Sequence, residues 1–338
     1  MIEGWRVEEH PRDDRAAWFA LRQHDVTGSD AGALFGVHKY QTLRRMARQK
    51  AYGEDEVQTA DMRRGKIMEP AVAEAIHLDC GWRPVRRETY LRARATDPLV
   101  RLGASLDYDL EVDAQALAEH PKTRATAEAY FAGHQVPWSR EDGRLALTVE
   151  CKSVDWDVFE REWASGPPDY TLVQGATQAM LAGADGALVA CLLENRAKEL
   201  YLYLVPRRED FELALIDKVR EFWRAFEAGE EPPVIALDND FMSDYYPRSD
   251  EGEVVNLAAS DEAAEWRSLV EEREGLKTNI KQLQDRINLL EAKLKDRMRD
   301  AARAILPGWS ITWKSNVHGT RSLNIKRAHT TGTSRKKR

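Results

Sequence analysis

Residues 148–152 read Thr-Val-Glu-Cys-Lys at the end of an apolar run, the pattern of a buried strand. Side chains alternate across a strand, so Glu150 and Lys152 project to one face and Cys151 to the other. Upstream, Gly103-Ala-Ser-Leu-Asp107 offers a second carboxylate and Arg64-Gly65-Lys-Ile-Met-Glu69-Pro70 a third. Downstream, Tyr170 is followed by Gln174 and Gln178. Metal-dependent phosphodiester hydrolysis needs such a set. Mg²⁺ takes oxygen ligands, commonly one or two carboxylates, and leaves its other positions to water and phosphate. Asp107 and Glu150 would supply the carboxylates, the backbone carbonyl of Cys151 a further oxygen, and Glu69 a second ion or a ligand through water. Lys152 would orient the attacking water or neutralise phosphate charge, and two ions about 4 Å apart could share the work. Taken singly these residues have plainer readings: a Glu-x-Lys is more often a solvated edge pair, Asp107 suits a turn, and Glu69 a helix start. The ensemble and its order point to chemistry.

That ensemble resembles the YqaJ-type viral recombinase nucleases, relatives of lambda exonuclease in the PD-(D/E)xK nuclease superfamily. The likeness runs over roughly residues 15–235. It is carried by Gly28-Ser29-Asp30-Ala31 with Leu34-Phe-Gly36, by Arg64-Gly65 with Glu69-Pro70, and by Ser105-Leu-Asp107. Glu150-Cys-Lys152, then Tyr170 with Gln174-Gly-Ala-Thr-Gln178 and Gly183, complete it. The resemblance implies Glu69, Asp107 and Glu150 as ligands of Mg²⁺ (or Mn²⁺), Lys152 as the catalytic lysine, and Gln174 as a support from the next helix. It also implies an Arg and a Ser seven residues later that hold a terminal phosphate, a spacing met by Arg22 and Ser29. Tyr170 and Gln178 join these as expected DNA-binding residues. Where the family more often places Pro and Gly around the motif Asp, this chain has Leu106 and Tyr108, which alter the turn but not the ligand.

The 338 residues carry a net charge of −7, which at first disfavours a nucleic-acid partner. A nuclease needs only a local basic groove, and basic residues do cluster: Arg44, Arg45, Arg48 and Lys50; Arg63, Arg64 and Lys66; Arg83, Arg86 and Arg87. From Ala301 to the terminal Arg335-Lys-Lys-Arg338 there is no acidic residue, the pattern of a nucleic-acid contact or of a solubilising tail. The three cysteines have no C-x-x-C spacing and read as reduced core residues, which excludes a four-cysteine iron–sulfur cluster. No apolar run reaches membrane-spanning length and the N-terminus lacks signal-peptide character, so a cytoplasmic protein without a membrane partner is expected; the resemblance implies that it acts for a phage or prophage in a bacterial host.

The elements that must position these residues follow from periodicity. Helices are predicted over 13–24, 29–34, 42–51, 68–78, 170–182 and 208–228, and strands over 87–93, 99–102, 107–112, 145–152, 186–193 and 199–205. This predicts an α/β nuclease domain over 1–235, with a restriction-endonuclease-like mixed central sheet flanked by helices and Glu69 in the first turn of its helix. Residues 111–147 read as an insertion, with His120-Pro121-Lys122 and Gln135-Val-Pro137-Trp138, at the mouth of the site. Residues 236–260 read as an acidic linker. Over 261–338 a C-terminal module is expected, with a long helix, a β-hairpin around Gly319 and the basic tail. Trp266, Leu269, Leu276, Ile280, Leu283, Ile287, Leu290 and Leu294 follow heptad steps broken at Arg273, so the helix pairs in a coiled-coil fashion or lies as an amphipathic helix on the nuclease domain.

The function expected is a metal-dependent deoxyribonuclease on double-stranded DNA. The resemblance narrows it to a 5′-to-3′ exonuclease that resects double-stranded ends for a single-strand annealing protein, and to a homo-oligomer, a toroidal trimer. Two other readings stand beside it: an endonuclease of restriction or repair type, and a DNA-binding protein on this fold whose catalysis is lost.

Overall fold

The computed structural model describes residues 3–53, 59–125, 142–195, 199–250, 252–258, 260–315 and 319–327. It divides into two compact units, Met1–Pro247 and Arg248–Arg338.

The first unit begins with β1 (Arg6–Pro11), α1 (Arg15–Gln23), β2 (Val26–Thr27), α2 (Ala31–Leu34), α3 (Leu43–Tyr52) and α4 (Ala60–Cys80). Strands β3 (Val85–Arg86), β4 (Thr89–Arg94), β5 (Leu102–Ser105) and β6 (Tyr108–Asp113) follow, then α5 (Ala114–Glu119), β7 (Thr123–Ala125) and β8 (Arg144–Val154). Next come α6 (Trp156–Val158), a π-helical turn (Phe159–Trp163), α7 (Asp169–Ala182), β9 (Gly186–Leu193), β10 (Leu200–Pro206) and α8 (Glu209–Glu227). A 3₁₀ turn (Ala236–Asp240) and α9 (Met242–Tyr245) close it.

The expected mixed α/β architecture is present, but its strands form two sheets where one was predicted. One is ordered β1-β4-β5-β2 and the other β3-β6-β8-β9-β10-β7. The larger sheet is mixed: β8 pairs antiparallel with β6 and parallel with β9. The chain crosses from one sheet to the other in two residues, Leu106 and Asp107, between β5 and β6.

Helix α7 lies between the sheets. Its Leu172, Ala176 and Ala179 join the cluster with Ala187, Val189 and Cys191 of β9. Its Val173, Met180 and Leu181 join the cluster of the smaller sheet, with Leu91, Leu102 and Ala104, and of α8, with Leu215, Val219 and Trp223. A helix buried on both sides must be apolar nearly all round, and only Gln174 and Gln178 carry amide side chains inside it. Helix α4 covers the opposite face of the larger sheet, where Val72, Ala73 and Ile76 meet Leu147, Val149 and Cys151.

Three expectations are corrected. Helix α4 starts at Ala60, capped by Thr59, and runs through Pro70, so Glu69 is mid-helix rather than in a first turn. Pro70 removes the bond to the carbonyl of Lys66, and both residues face solvent, where water replaces it. The acidic stretch after residue 235 is not all linker. Asp238 is buried, accepts from the Thr42 hydroxyl and the Ile235 amide, and Arg45 stacks over Phe241. The stretch from Glu111 is not all insertion, since β7 joins the sheet edge parallel to β10. Its residues 126–141, with Gln135-Val-Pro137-Trp138, lie outside the described residues, as does the basic tail from 328 onward.

The second unit holds α10 (Ala263–Met298) and a three-stranded antiparallel sheet, β11 (Arg303–Leu306), β12 (Trp309–Ser315) and β13 (Arg321–Arg327). The predicted hairpin is β12–β13, and β11 adds the third strand.

Candidate active site

Glu150 and Lys152 lie on β8, in the middle of the larger sheet, on the face that α7 covers. Glu150 is only 3% exposed, too deep for a solvated edge pair. Its carboxylate receives three donors. Gln174 Nε2 lies 2.7 Å from Oε1, Gln178 Nε2 lies 2.6 Å from Oε2, and Lys152 Nζ lies 2.6 Å from Oε1. Gln178 also donates to the Ser105 carbonyl at 3.1 Å, tying the end of β5 to the carboxylate, and Lys152 reaches Gln174 Oε1 at 3.3 Å. The glutamines descend this far because Gly175 stands between them. A Cβ there would lie 3.2 Å from the Ala187 methyl of β9, tighter than ordinary contact.

Asp107 occupies the crossing between the sheets, and its Oδ2 accepts from the Cys151 amide at 3.1 Å. Strand β6 begins only at Tyr108, opposite Val149, so that edge of β8 is open at Cys151. The carbonyl of a strand residue points to the same edge as its amide, which directs the Cys151 carbonyl to the Asp107 side. The Cys151 thiol lies on the other face, in the α4 core, and burial pushes it well above its ordinary pKa.

Glu69 is partly buried on α4 and electrostatically joined to the pair. Burial and then the Glu150 charge raise its carboxyl, against Arg12 and Arg86. Asp107 is raised well above the carboxylate range by burial, then by Glu150 and Glu69. Burial alone would lower the Lys152 ammonium, but Glu150 outweighs it and the net shift is upward. Three carboxylates therefore share a water-poor site with one ammonium, and the negative charge is in excess. No group of three or more His, Cys, Asp or Glu side chains is drawn into a metal cage among the described residues. A cation here would meet two carboxylates, a backbone carbonyl and water, the donor set Mg²⁺ favours.

Arg22 and Ser29 belong to a neighbouring polar network centred on Asp30. Ser29 Oγ is 2.8 Å from Thr27 Oγ1, which donates to Asp30 at 2.7 Å. Lys50 Nζ contacts Asp30 Oδ2 at 3.1 Å and the Arg22 carbonyl at 2.9 Å, while the Arg22 guanidinium stacks on Trp18. Burial alone would raise the Asp30 carboxyl, but Lys50 and Arg22 overcome it and hold it far below the usual range. Tyr170 opens α7 and packs with His38, ring centroids 5.1 Å apart, and edge-on with Tyr40 at 6.2 Å. Burial lowers His38 from its ordinary pKa. Asp30, Gln41, Lys50 and His38 were not singled out as site residues from sequence. Asp30 lies inside the quoted Gly28–Ala31 string and Lys50 inside a basic cluster, but neither pattern reveals that they pair.

A family model described as the YqaJ-like viral recombinase domain matches residues 17–185, half of the chain. Over 313 residues the chain is 23% identical to YqaJ of Bacillus subtilis (strain 168), described as uncharacterized, covering 90% of this chain and 84% of that protein. Among solved structures, an alkaline exonuclease (LHK-Exo) from Laribacter hongkongensis aligns at 16% identity with a TM-score of 0.44. The alignment covers 69% of this chain and 100% of that one. Its complex with dAMP aligns at the same identity and coverage with a TM-score of 0.45. The resemblance carried by the motifs is thereby borne out, and the chain belongs to the YqaJ-like viral recombinase domain family.

Proposed function

We propose that this protein is a divalent-metal-dependent deoxyribonuclease that degrades double-stranded DNA from its ends. The observation that carries the reading is the Glu150–Lys152 pair on the middle strand of the larger sheet, buried beside Asp107 and clamped by two glutamines. A structural salt bridge needs one carboxylate for its ammonium. Here Asp107 and Glu69 crowd the same charge, and their raised carboxyls mark a site short of positive charge. That shortage, with a donor set made of oxygens, fits Mg²⁺ or Mn²⁺.

Asp107, Glu150 and the Cys151 carbonyl would hold the ion, with Glu69 serving a second ion or a bridging water. When bound, the metal acidifies a coordinated water and draws charge from the leaving oxygen. The chain's own part is orientation. Gln174 and Gln178 fix the Glu150 carboxylate, and Lys152, held at that carboxylate, would supply positive charge to the attacking water or to the phosphate. Loss of catalysis on this fold is disfavoured, because Glu69, Asp107, Glu150, Lys152 and Gln174 are all retained.

Arg22 and Ser29, next to this site in the Asp30 network, support capture of a terminal phosphate and hence attack at ends. Resection from the 5′ side for a single-strand annealing protein, and assembly as a toroidal trimer, complete the reading. Linear duplex labelled at the 5′ or 3′ terminus, incubated beside a covalently closed circle with Mg²⁺, with Mn²⁺ or with EDTA, tests it. Release of 5′ label from phosphorylated ends with the circle intact is expected, and EDTA should stop it. Cutting of the circle would establish an endonuclease. Absence of cleavage with either metal would refute the catalytic reading.

A further inference from the structure

Helix α10 is 36 residues long and carries an uncovered apolar seam. Ile280 is 66% exposed, Leu283 65% and Leu276 55%. A helix with apolar residues at alternating three- and four-residue steps needs a partner surface, since propensity alone does not hold such a stripe in water. In heptad terms Trp266, Arg273, Ile280, Ile287 and Leu294 take the a positions, and Leu269, Leu276, Leu283 and Leu290 the d positions.

We propose that this seam is covered by the same helix of a second copy of the chain, paired antiparallel. Two features select the occupant and its direction. The first is Arg273, the single charged residue among these a and d positions. In a parallel, in-register pair it would face its own copy across the core, two like charges in a desolvated layer. Reversing one helix so that a meets d gives the layers Ile280–Leu283, Ile287–Leu276 and Leu294–Leu269, and sets Arg273 against Leu290.

The second feature is the flanking charge. In an antiparallel pair, g faces g of the other copy and e faces e. The same register then opposes Glu265 to Lys293, Glu272 to Arg286 and Lys277 to Glu291, with the uncharged Asn279 and Gln284 each meeting themselves. Every charged residue in these pairs meets its opposite, and each pairing occurs twice; a parallel pair opposes only Glu272 to Lys277 and Arg286 to Glu291 and leaves Glu265 and Lys293 against Val270 and Met298. Among the described residues Lys277 pairs with the exposed Glu274 at 3.5 Å and Glu291 with the half-exposed Lys295 at 2.9 Å, both within the helix. Such surface pairs are weak and exchange readily.

Charge reversal of the full-length protein tests both the partner and the direction. In the variant Glu265→Lys/Glu272→Lys, and separately in Arg286→Glu/Lys293→Glu, every reversed residue would face a like charge in the self-pair. An equimolar mixture of the two restores opposition at all four contacts. Light scattering coupled to size exclusion should give each variant half the wild-type mass at a concentration where the wild type is paired. The mixture should return to the wild-type mass, with a tag on one variant recovering the other. Rescue by mixing rules out misfolding as the cause of the lower mass. In a parallel pair Glu272→Lys would face Lys277 and Arg286→Glu would face Glu291, contacts that mixing does not relieve. Failure of the mixture to recover, or variants that keep the wild-type mass, would overturn the proposal.

Discussion

Replacing Gln178 by methionine tests whether the glutamine clamp is an energetic part of the fold as well as of the site. Gln178 is 2% exposed, and its amide nitrogen donates to Glu150 and to the Ser105 carbonyl. A hydrogen bond to a charged group contributes about 1.5–3 kcal/mol and one to a neutral carbonyl about 0.5–1.5. The side-chain oxygen of Gln178 has no partner among the described residues, so its removal returns about 1 kcal/mol. Methionine is unbranched and of similar length, which keeps the cavity term small. The net loss is then about 1–3 kcal/mol, or a fall of roughly 2–12 °C in the melting temperature of a unit of this size. Calorimetry in EDTA, following the transition of the Met1–Pro247 unit, measures it, and Gln174→Met should cost less because that position is less deeply buried. A melting temperature unchanged within one degree would refute the reasoning and would mean that Glu150 is satisfied without Gln178.

Lys152→Ala should abolish cleavage while leaving DNA and metal binding largely intact, measured by fluorescence anisotropy and titration calorimetry; full activity would sink the assignment of Lys152. Asp107→Asn should also abolish cleavage yet stabilise the metal-free protein at neutral pH, since it removes the group raised by burial and by two like charges. The sign with pH follows. The folded state keeps the Asp107 proton above the unfolded pKa of about 3.9, so wild-type stability relative to Asp107→Asn should fall as pH rises from there, and urea midpoints at several pH values would show a flat difference if the carboxyl were unshifted. Burial raises all three thiols, Cys80 to about 11 and Cys191 to about 12, so iodoacetamide at pH 8 should label none of them rapidly until denaturant is added, as intact-mass spectrometry would show.

The site was legible in the sequence to the extent that its geometry is local. Strand alternation puts Glu150 and Lys152 on one face, and helical spacing puts Gln174 one turn from Gln178, so both pairs follow from position alone. Asp107 was found by its order in the motif series. Its place at a crossing between two sheets was not legible, because β5 and β6 read as one run of strand-like segments and only their partners separate them. Pro70 misled the reading of α4. A proline ordinarily marks a helix start, and its tolerance here depends on solvent reaching the Lys66 carbonyl. The Asp30 network was invisible for another reason. Lys50, Gln41 and Arg22 come from different elements, and no periodicity records that they converge.

Placing Glu150 and Lys152 on β8 has a kinetic consequence. Proteins open in cooperative pieces, with loops and lids at the low-energy end and central strands at the global limit. Strand β8 is bonded on both edges as far as Val149, its next amide on the β6 side is held by Asp107, and both its faces are covered. The amides around Glu150 should therefore exchange with deuterium only when the whole unit opens. The carboxylate proposed to take part in the chemistry would then have no melting transition of its own, and heating would take away activity and fold in one step.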